Sequence, residues 1–293
     1  MKISTAVIAV AGSGTRFLPA TKTLPKELFP ILDKPVVQYL VEEAVASGIK
    51  NVVLVTRPGA HDIAEHFSDS PDLEALLARQ GKSDLLVAVR SLSQLANIAV
   101  VRQGRHLPYG NATPLLAAKA FLPKDEAFVY MFGDDLVLAS VPCIRQLVEL
   151  YDKHQPDGIV TVQEIPWGET HRYGVIETKP GPTPLELASI VEKPPREQAP
   201  SNLAQLGRFI LPPRILGIID SLEVGKAGEL WLTDAIQKLG ADSRVLVHVV
   251  DGVWYTTGDP LRFLIASIEY GLRSPAIAPD LKRYLKELRL PSE

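Results

Sequence analysis

A long loop directly after the first apolar run constrains what this chain can fold into more than any other stretch. Residues 5–10, TAVIAV, are almost entirely apolar, which is typical of a strand covered on both faces in a parallel sheet. No helical pattern begins before about residue 35. A connection of roughly twenty residues between a buried strand and the next helix is unusually long, and such connections tend to be functional.

The loop carries the groups that a polyphosphate ligand requires. Gly12 and Gly14 let backbone N–H groups approach a ligand closely. Arg16, Lys22 and Lys26 add positive charge. We therefore interpret the loop as a polyphosphate cradle, while an ordinary turn with solvated lysines stays open on this stretch alone.

Two familiar phosphate-binding loops do not fit the stretch. The dinucleotide fingerprint requires a third glycine where Phe17 stands, and Pro19 lies where its helix would continue. A Walker A loop requires Gly-Lys-Ser/Thr, which the stretch lacks. These mismatches disfavour a nucleotide-dependent dehydrogenase.

The composition bounds the class of protein. With 293 residues, of which 46% are hydrophobic, the chain can form one large domain or one domain with an appendage. The net charge of -3 gives no sign of a nucleic-acid surface. The single cysteine, Cys143, excludes an intrachain disulfide and is expected to be buried. No apolar run is long enough to span a bilayer and no signal peptide is apparent, so we expect a cytoplasmic protein without a membrane partner.

Alternating apolar patterns predict an α/β fold that begins with a right-handed βαβ unit. Asp33 is expected to cap a helix that has Pro35 in its first turn, and strand 51–56 follows. Residues 71–95 are read as helical, and 97–101 as a third strand. Further strands are expected at 127–132, 158–164, 172–177, 187–191, 203–211 and 245–250, and further helices at about 59–67, 113–121, 141–153, 261–272 and 277–289.

Two carboxylates follow the most apolar strand of the chain. Residues 127–132 run straight into Gly133, Asp134 and Asp135. In open α/β sheets, ligands bind beyond the carboxyl ends of strands. Carboxylates at that position suit a hard cation such as Mg²⁺, which also takes phosphate oxygens. A tight turn in which the aspartates bond the local backbone is the alternative.

The first loop closely resembles the nucleotide-binding signature of sugar-nucleotide pyrophosphorylases, G-x-G-T-R-x-x-P-x-T followed by P-K-E. The match covers residues 12–21 and 25–27. Later segments resemble the UTP–glucose-1-phosphate uridylyltransferases of bacteria, so that the resemblance runs from residue 4 to about 272. Those segments are Tyr173-Gly174, 191–194, 200–204 with 207–209, 228–236, and 252–259.

The resemblance implies a Rossmann-like three-layer α/β/α nucleotidyltransferase fold, with a mixed, mainly parallel central sheet and a small sugar-binding β portion. It implies one domain over 1–272, with a nucleotide-binding part at about 1–135 and a sugar-binding part at about 155–260. Residues 273–293 would form a C-terminal helix that contacts another subunit of a homo-oligomer.

The resemblance further implies Mg²⁺-dependent nucleotidyl transfer from UTP to glucose 1-phosphate, giving UDP-glucose and pyrophosphate. Each implied role falls on residues that match the family's motifs. The implied catalytic residues are Arg16, Lys26 and Lys193; the nucleotide-binding residues are Ala11, Gly12, Gly14, Thr15, Glu27, Gln103 and Gly110; the sugar-phosphate-binding residues are Asp135, Gly174, Glu192 and Lys193; and the metal ligand is Asp134.

Three departures from the family pattern leave alternatives open. Thr256 stands where the family's late Y-D-x-G-D/N element has a metal-binding aspartate, which leaves two alternatives: Asp135 or Asp259 compensates, or water and phosphates fill the site. The replacement of this aspartate leaves open a second function, that of a catalytically weak regulatory homologue that binds nucleotide-sugar. Trp231 replaces a glutamine, and residues 108–111 replace the usual G-L-G-H. These two changes leave room for another substrate pair, such as dTTP or galactose 1-phosphate.

Overall fold

The computed structural model describes residues 3–181, 183–225 and 228–289, and its elements are numbered here in chain order. The strands are β1 Thr5–Val10, β2 Pro30–Ile31, β3 Lys34–Pro35, β4 Asn51–Thr56, β5 Asn97–Arg102, β6 Phe128–Phe132, β7 Asp135–Leu138, β8 Gly158–Glu164, β9 Gly174–Thr178, β10 Leu185–Glu192, β11 Leu203–Leu211, β12 Val245–Val249 and β13 Val253–Thr256. The helices are α1 Val36–Ala46, α2 Asp62–His66, α3 Pro71–Arg79, α4 Ser83–Leu92, α5 Thr113–Ala118, α6 Cys143–His154, α7 Ile215–Asp220, α8 Leu232–Ala241, α9 Pro260–Gly271 and α10 Ala278–Glu287.

A nine-stranded mixed sheet forms the centre of the fold, in the order β5-β4-β1-β6-β11-β8-β12-β10-β9. Pairing is parallel from β5 through β4 and β1 to β6, and again between β8 and β12. Strand β11 is antiparallel to both of its neighbours, and β10 is antiparallel to β12 and β9. The predicted mixed sheet is therefore confirmed, with its parallel part built mainly from the first half of the chain.

Helices cover both faces of this sheet. Alternate side chains of β1 enter two different cores: Ile8 joins a cluster with α1 and α6, whereas Val7 joins a cluster with α5, α7 and α8. Cys143 is buried at the start of α6, as expected. The three-layer α/β/α arrangement is confirmed. No helix among the described residues has both the length and the apolar character that crossing a membrane would need.

Two local predictions were wrong. Asp33 lies in the turn between β2 and β3, where Ile31 pairs with Lys34, and Pro35 rather than Asp33 precedes the first residue of α1. The stretch 71–95 forms two helices instead of one, because Gly81 adopts φ +66° and breaks the helical path between α3 and α4.

A β-bulge in β11 fixes the end of β6 and the start of β7. The β8–β11 register shifts between Leu206 and Phe209. Within the bulge, the Gly207 N–H donates to Asp135 Oδ2 at 2.8 Å, and fully buried Arg208 donates to the Asp135 carbonyl at 2.8 Å. Arg208 also pairs with Glu43 of α1 at 2.7 Å. The middle of the chain thus holds the Asp134-Asp135 turn in place through buried, fully bonded groups.

Candidate active site

A cleft of about 410 Å³ lies beyond the carboxyl ends of β1 and β6. Its wall brings together every residue to which the family resemblance assigned a role: Ala11, Gly12, Gly14, Thr15, Arg16, Lys26, Glu27, Gln103, Gly110, Asp134, Asp135, Gly174, Glu192 and Lys193. Residues more than 180 positions apart in the sequence therefore share one surface. Lys22, which the sequence offered as a third cation of the phosphate cradle, is exposed and does not line the cleft.

The first loop folds as three short 3₁₀ segments, 15–17, 20–22 and 26–28, instead of an α-helix. Gly14 begins it with φ +65°, a conformation that favours glycine. The Thr21 hydroxyl donates to the Gly14 carbonyl at 2.8 Å, and a Cβ on Gly14 would lie 2.9 Å from Thr21 Cγ2. The Thr21 side chain therefore fixes the first turn of the loop.

Lys26 and Asp134 form the central ion pair of the cleft. Lys26 Nζ lies 2.6 Å from Asp134 Oδ2, and only 14% of the lysine side chain is exposed. Burial opposes ionisation of both groups. Their mutual attraction outweighs it, so that the pKa of Asp134 falls below and the pKa of Lys26 rises above its usual value. Both groups are therefore charged at neutral pH.

Two further carboxylates, Glu27 and Asp135, lie beside this pair, and their pKa values are raised instead of lowered. Burial raises the pKa of Glu27 to about 7, although the charge of Lys26 opposes the rise. Burial and the charge of Asp134 raise the pKa of Asp135 to about 6. Glu27 is 2% exposed, and its Oε2 is buried without a hydrogen-bond partner among the described residues. Deprotonating Glu27 in the folded protein is therefore unfavourable.

We expect Glu27→Gln to stabilise the protein at pH 8 and to change its stability little at pH 4. The pKa of Glu27 is raised in the folded state, so its contribution to stability is fully present below the unfolded value of 4.5 and is lost as the pH rises through about 7. Glutamine carries no charge to bury. The gain at pH 8 should be about 1–3 kcal/mol.

Urea unfolding of Glu27→Gln and of the unaltered protein at both pH values measures this difference. Glu65→Gln, which changes an exposed residue on α2, is the matched control and should follow the unaltered protein at each pH. An equal shift at pH 4 and pH 8 would contradict the assigned pKa.

The loop at 107–112 is joined to the segment before α8 by backbone hydrogen bonds. Leu230 N–H donates to the Tyr109 carbonyl at 2.7 Å, and Ala112 N–H donates to the Leu230 carbonyl at 3.1 Å. Gly110 has φ +144°, and a Cβ there would lie 2.2 Å from the Leu230 oxygen. Asn111 Oδ1 accepts from the Leu232 N–H at 2.7 Å, at the first turn of α8. Glycine is required at position 110 because the backbone there lies directly against the backbone of Leu230.

The part of the cleft wall that comes from the second half of the chain presents a lysine over an aromatic ring. Lys193 follows β10 with φ +46°, an uncommon conformation for a residue other than glycine, and such conformations cluster at functional sites. Its Nζ lies 4.1 Å from the centre of the Trp231 ring and 3.4 Å from Glu192 Oε1. Glu192 is directly paired in register with Gly174 of β9. This wall combines one cation, one carboxylate and an aromatic surface.

Strands β7 and β13 bring Thr256 beside the aspartates. Thr256 pairs in register with Asp135, and a Cβ on Gly258 would lie 3.0 Å from Asp134 Oδ2 and 3.4 Å from Thr256 Oγ1. Asp259 does not face this point with a spare carboxylate, because it caps α9 and pairs with Arg172 and Arg262. The position that carries an acid in the family pattern here offers a hydroxyl.

Several residues of the cleft were not predicted from the sequence. Gln205 lines it from the start of β11, Tyr109 from the loop that carries Gly110, and Arg172 from the turn before β9. A signal for Gln205 was present, because it is the polar residue near the start of an otherwise apolar run, LAQL. Arg172 carries no comparable signal, whereas Tyr109 lies in residues 108–111, which the sequence marked only as a departure from the family pattern.

Comparison with known proteins gives consistent matches over nearly the whole chain. The family model described as nucleotidyl transferase matches residues 5–271. A UTP–glucose-1-phosphate uridylyltransferase of Staphylococcus epidermidis is 42% identical over 289 residues, which cover 98% of this chain and 99% of the relative.

Solved structures agree with these sequence matches. A UTP-bound UGPase from Acinetobacter baumannii superimposes with a TM-score of 0.88 at 32% identity, covering 98% of this chain and 100% of that one. A UDP-glucose pyrophosphorylase complexed with UDP-glucose gives a TM-score of 0.84 at 32% identity, covering 93% and 100%.

Proposed function

Since the chain belongs to the nucleotidyl transferase family, and within it to the UTP–glucose-1-phosphate uridylyltransferases, we propose that it transfers a uridylyl group from UTP to glucose 1-phosphate. The products are UDP-glucose and pyrophosphate. The observation that carries the proposal is that the glycine-rich first loop, with Arg16 and Lys26, lines the same cleft as Glu192 and Lys193. Two anionic substrates that react with each other need two groups of cations in one cleft.

The part of the cleft that the first loop lines binds the nucleotide. Ala11, Gly12, Gly14 and Thr15 direct the loop backbone toward the triphosphate, and Glu27 lies beneath that backbone. Arg16 and Lys26 stabilise the negative charge that moves onto the departing pyrophosphate. Gln103 and Gly110 contact the base, since an amide can donate and accept on one pyrimidine edge.

The part of the cleft that bears Glu192 and Lys193 binds the sugar phosphate. Lys193 attracts its phosphate as a point charge, and Glu192 accepts hydrogen bonds from sugar hydroxyls, with Gly174 and Asp135 beside them. The phosphate oxygen of glucose 1-phosphate attacks the α-phosphorus of UTP in line, and pyrophosphate leaves on the opposite side. Such a displacement depends on alignment and charge neutralisation more than on acid–base chemistry.

A divalent cation fits the oxygen donors around Asp134 when substrate supplies the remainder. The Asp134 carboxylate and the Thr256 hydroxyl lie near one point in front of Gly258, and Arg16 Nη1 lies 3.5 Å from a Cβ placed there. Because Lys26 also pairs with Asp134 Oδ2, binding of a cation requires both basic side chains to turn toward the substrate phosphates. Among the residues described, no three His, Cys, Asp or Glu side chains gather as a metal site. Mg²⁺ commonly binds through one or two carboxylates plus substrate phosphates, so we assign it to Asp134. When bound, the cation supplies positive charge to the phosphate oxygens.

The proposed reaction suggests how the chain is divided between its two substrates. Residues 1–272 act as one nucleotidyltransferase domain, with the nucleotide bound mainly by about 1–135 and the sugar phosphate by about 155–260. Helix α10 falls within 273–293, whose last four residues lie outside the described ranges. Leu261 and Leu264 of α9 and Tyr284 of α10 are exposed, which supports a homo-oligomer. A cytoplasmic location is part of the same proposal. A light-scattering mass of one chain would contradict the oligomer.

A substrate matrix tests the proposed reaction. Pyrophosphate release is measured for UTP, dTTP, ATP, CTP and GTP against glucose, galactose and mannose 1-phosphates, with and without Mg²⁺. We expect UTP with glucose 1-phosphate to give the highest kcat/KM, and release to depend on Mg²⁺. A higher value for dTTP or galactose 1-phosphate would replace the proposed substrates.

Isotope exchange separates an enzyme from a binding protein. Incubation with UDP-glucose and radiolabelled pyrophosphate should transfer label into UTP. An inactive homologue is the alternative because Thr256 reduces the negative charge at the cation site. Such a homologue would bind UDP-glucose and exchange no label. That result would overturn the proposal.

A further inference from the structure

Gln205 is a polar side chain in a position that an apolar residue could fill. It is the third residue of β11, between Ala204 and Leu206, and it is 5% exposed. Both neighbours enter a small apolar cluster on the other face of the strand. Gln205 points away from that cluster and lines the cleft. An amide buried in the wall of a cleft requires an explanation.

The Oε1 atom of Gln205 is buried and has no hydrogen-bond partner among the described residues. An unpaired buried acceptor lowers the stability of the folded protein, and apolar neighbours cannot offset this cost because they donate no hydrogen bond. A ligand that donates a hydrogen bond would remove this cost. A hydroxyl group suits either end of the amide, because it can both donate and accept.

The surroundings of Gln205 indicate which part of a substrate reaches it. A Cβ on Gly174 would lie 3.1 Å from Gln205 Nε2, so the amide lies against the start of β9. Gly174 is paired in register with Glu192 at the end of β10. A glutamine oxygen and a glutamate carboxylate both accept hydrogen bonds, and neither attracts a phosphate. This corner of the cleft therefore fits the hydroxyl-bearing ring of the substrate.

We propose that Gln205 accepts a hydrogen bond from one hydroxyl of the hexose and thereby contributes to selection among sugar 1-phosphates. The inference rests on the proposed function, since it assigns a further residue to the same cleft. Bound substrate satisfies an acceptor that the free protein leaves unpaired. The contact accordingly favours sugars that present a hydroxyl at that position.

The test compares Gln205→Met with the unaltered enzyme on glucose 1-phosphate and on its monodeoxy analogues. Methionine has nearly the same length but lacks the amide. We expect the unaltered enzyme to lose about 10- to 100-fold in kcat/KM with one deoxy analogue, and Gln205→Met to show a similar loss with glucose 1-phosphate itself. The variant should then use that analogue and glucose 1-phosphate equally well, with an unchanged KM for UTP.

Two further variants separate recognition from structure. Gln205→Glu retains an acceptor oxygen and should retain preference for the hydroxyl, whereas Gln205→Leu should lose it as methionine does. Gln198→Met, which replaces an exposed glutamine in the turn after β10, is the matched control and should behave as the unaltered enzyme. The melting temperature of Gln205→Met should not fall, because the change removes an unpaired acceptor.

The outcomes distinguish this inference from the proposed function. If the unaltered enzyme releases pyrophosphate but Gln205→Met and Gln205→Leu discriminate among the analogues as it does, Gln205 does not contact the sugar and the inference is overturned. If the unaltered enzyme releases no pyrophosphate with any sugar 1-phosphate, the proposed function itself fails and the inference falls with it.

Discussion

Lys26→Met is expected to lower kcat by about 10²–10³, the usual cost of removing one charged or polar group that stabilises a transition state. Lys26 Nζ lies in the cleft wall with 14% of its side chain exposed, 2.6 Å from Asp134. Together with Arg16, it stabilises the charge that develops on pyrophosphate in the proposed reaction. Because methionine keeps the length of the side chain, the loss reports the ammonium group. Steady-state pyrophosphate release at saturating substrates measures it.

Lys26→Met also leaves Asp134 without its cation, so activity and folding have to be separated. The double variant Lys26→Met/Asp134→Asn removes both charges and should recover part of the lost melting temperature without recovering turnover. Lys22→Met changes an exposed lysine of the same loop and should leave the rate unchanged. Full activity in Lys26→Met would exclude a role for Lys26 in the reaction.

Lys193→Met should lower kcat/KM for glucose 1-phosphate by about 10²–10³ and leave the KM for UTP nearly unchanged. The side chain is 45% exposed, so the variant is expected to fold normally. In the free protein Trp231 and Glu192 hold Nζ over the cleft, where it attracts the sugar phosphate. Initial rates at varied concentrations of each substrate separate the two effects.

Lys179→Met is the matched control for Lys193→Met. Lys179 is 50% exposed and pairs with Glu186 at 3.6 Å, an arrangement that contributes little to stability. Its replacement should leave both substrate constants unchanged. A rise in the KM for UTP alone in Lys193→Met would place that lysine on the nucleotide instead of the sugar phosphate.

The nine strands of the central sheet were predictable because apolar runs specify them directly, whereas the short strands β2, β3, β7 and β13 were not predicted. The predicted bounds 158–164 and 203–211 coincide with those of β8 and β11. The turn at Asp33 was mispredicted because residues 30–35 form a small hairpin, and the pairing of two-residue strands leaves no periodic pattern to read. Local patterns thus reveal an element more reliably than its ends.

The position of β11 in the sheet could not be predicted from local patterns. It pairs with β6, about eighty residues earlier, and its bulge bonds to Asp135 through Gly207 and Arg208. An arginine in an apolar run would ordinarily be expected at a solvent-facing position. Here Glu43, 165 residues away in the chain, compensates the buried charge of Arg208. Pairings of this kind depend on the whole fold.

The residues of the candidate site could be predicted where they belong to a recognisable sequence motif, but not elsewhere. The glycines, lysines and aspartates of the cleft lie in segments that resemble a known family, and all of them line one cavity. Gln205 lies between two matching segments, and only the fold shows that its oxygen is buried and unpaired. Tyr109 meets the chain around residue 230 through backbone atoms, which no side-chain pattern records.

The hydrogen bonds between residues 109–112 and 230–232 have a consequence for redesigning the protein. If one segment is replaced by that of a homologue, its backbone no longer fits the backbone of the other segment. In addition, any side chain in place of Gly110 would clash with the Leu230 carbonyl. A functional chimera therefore has to exchange the two segments together. Evolutionary change in one of them should likewise be accompanied by change in the other.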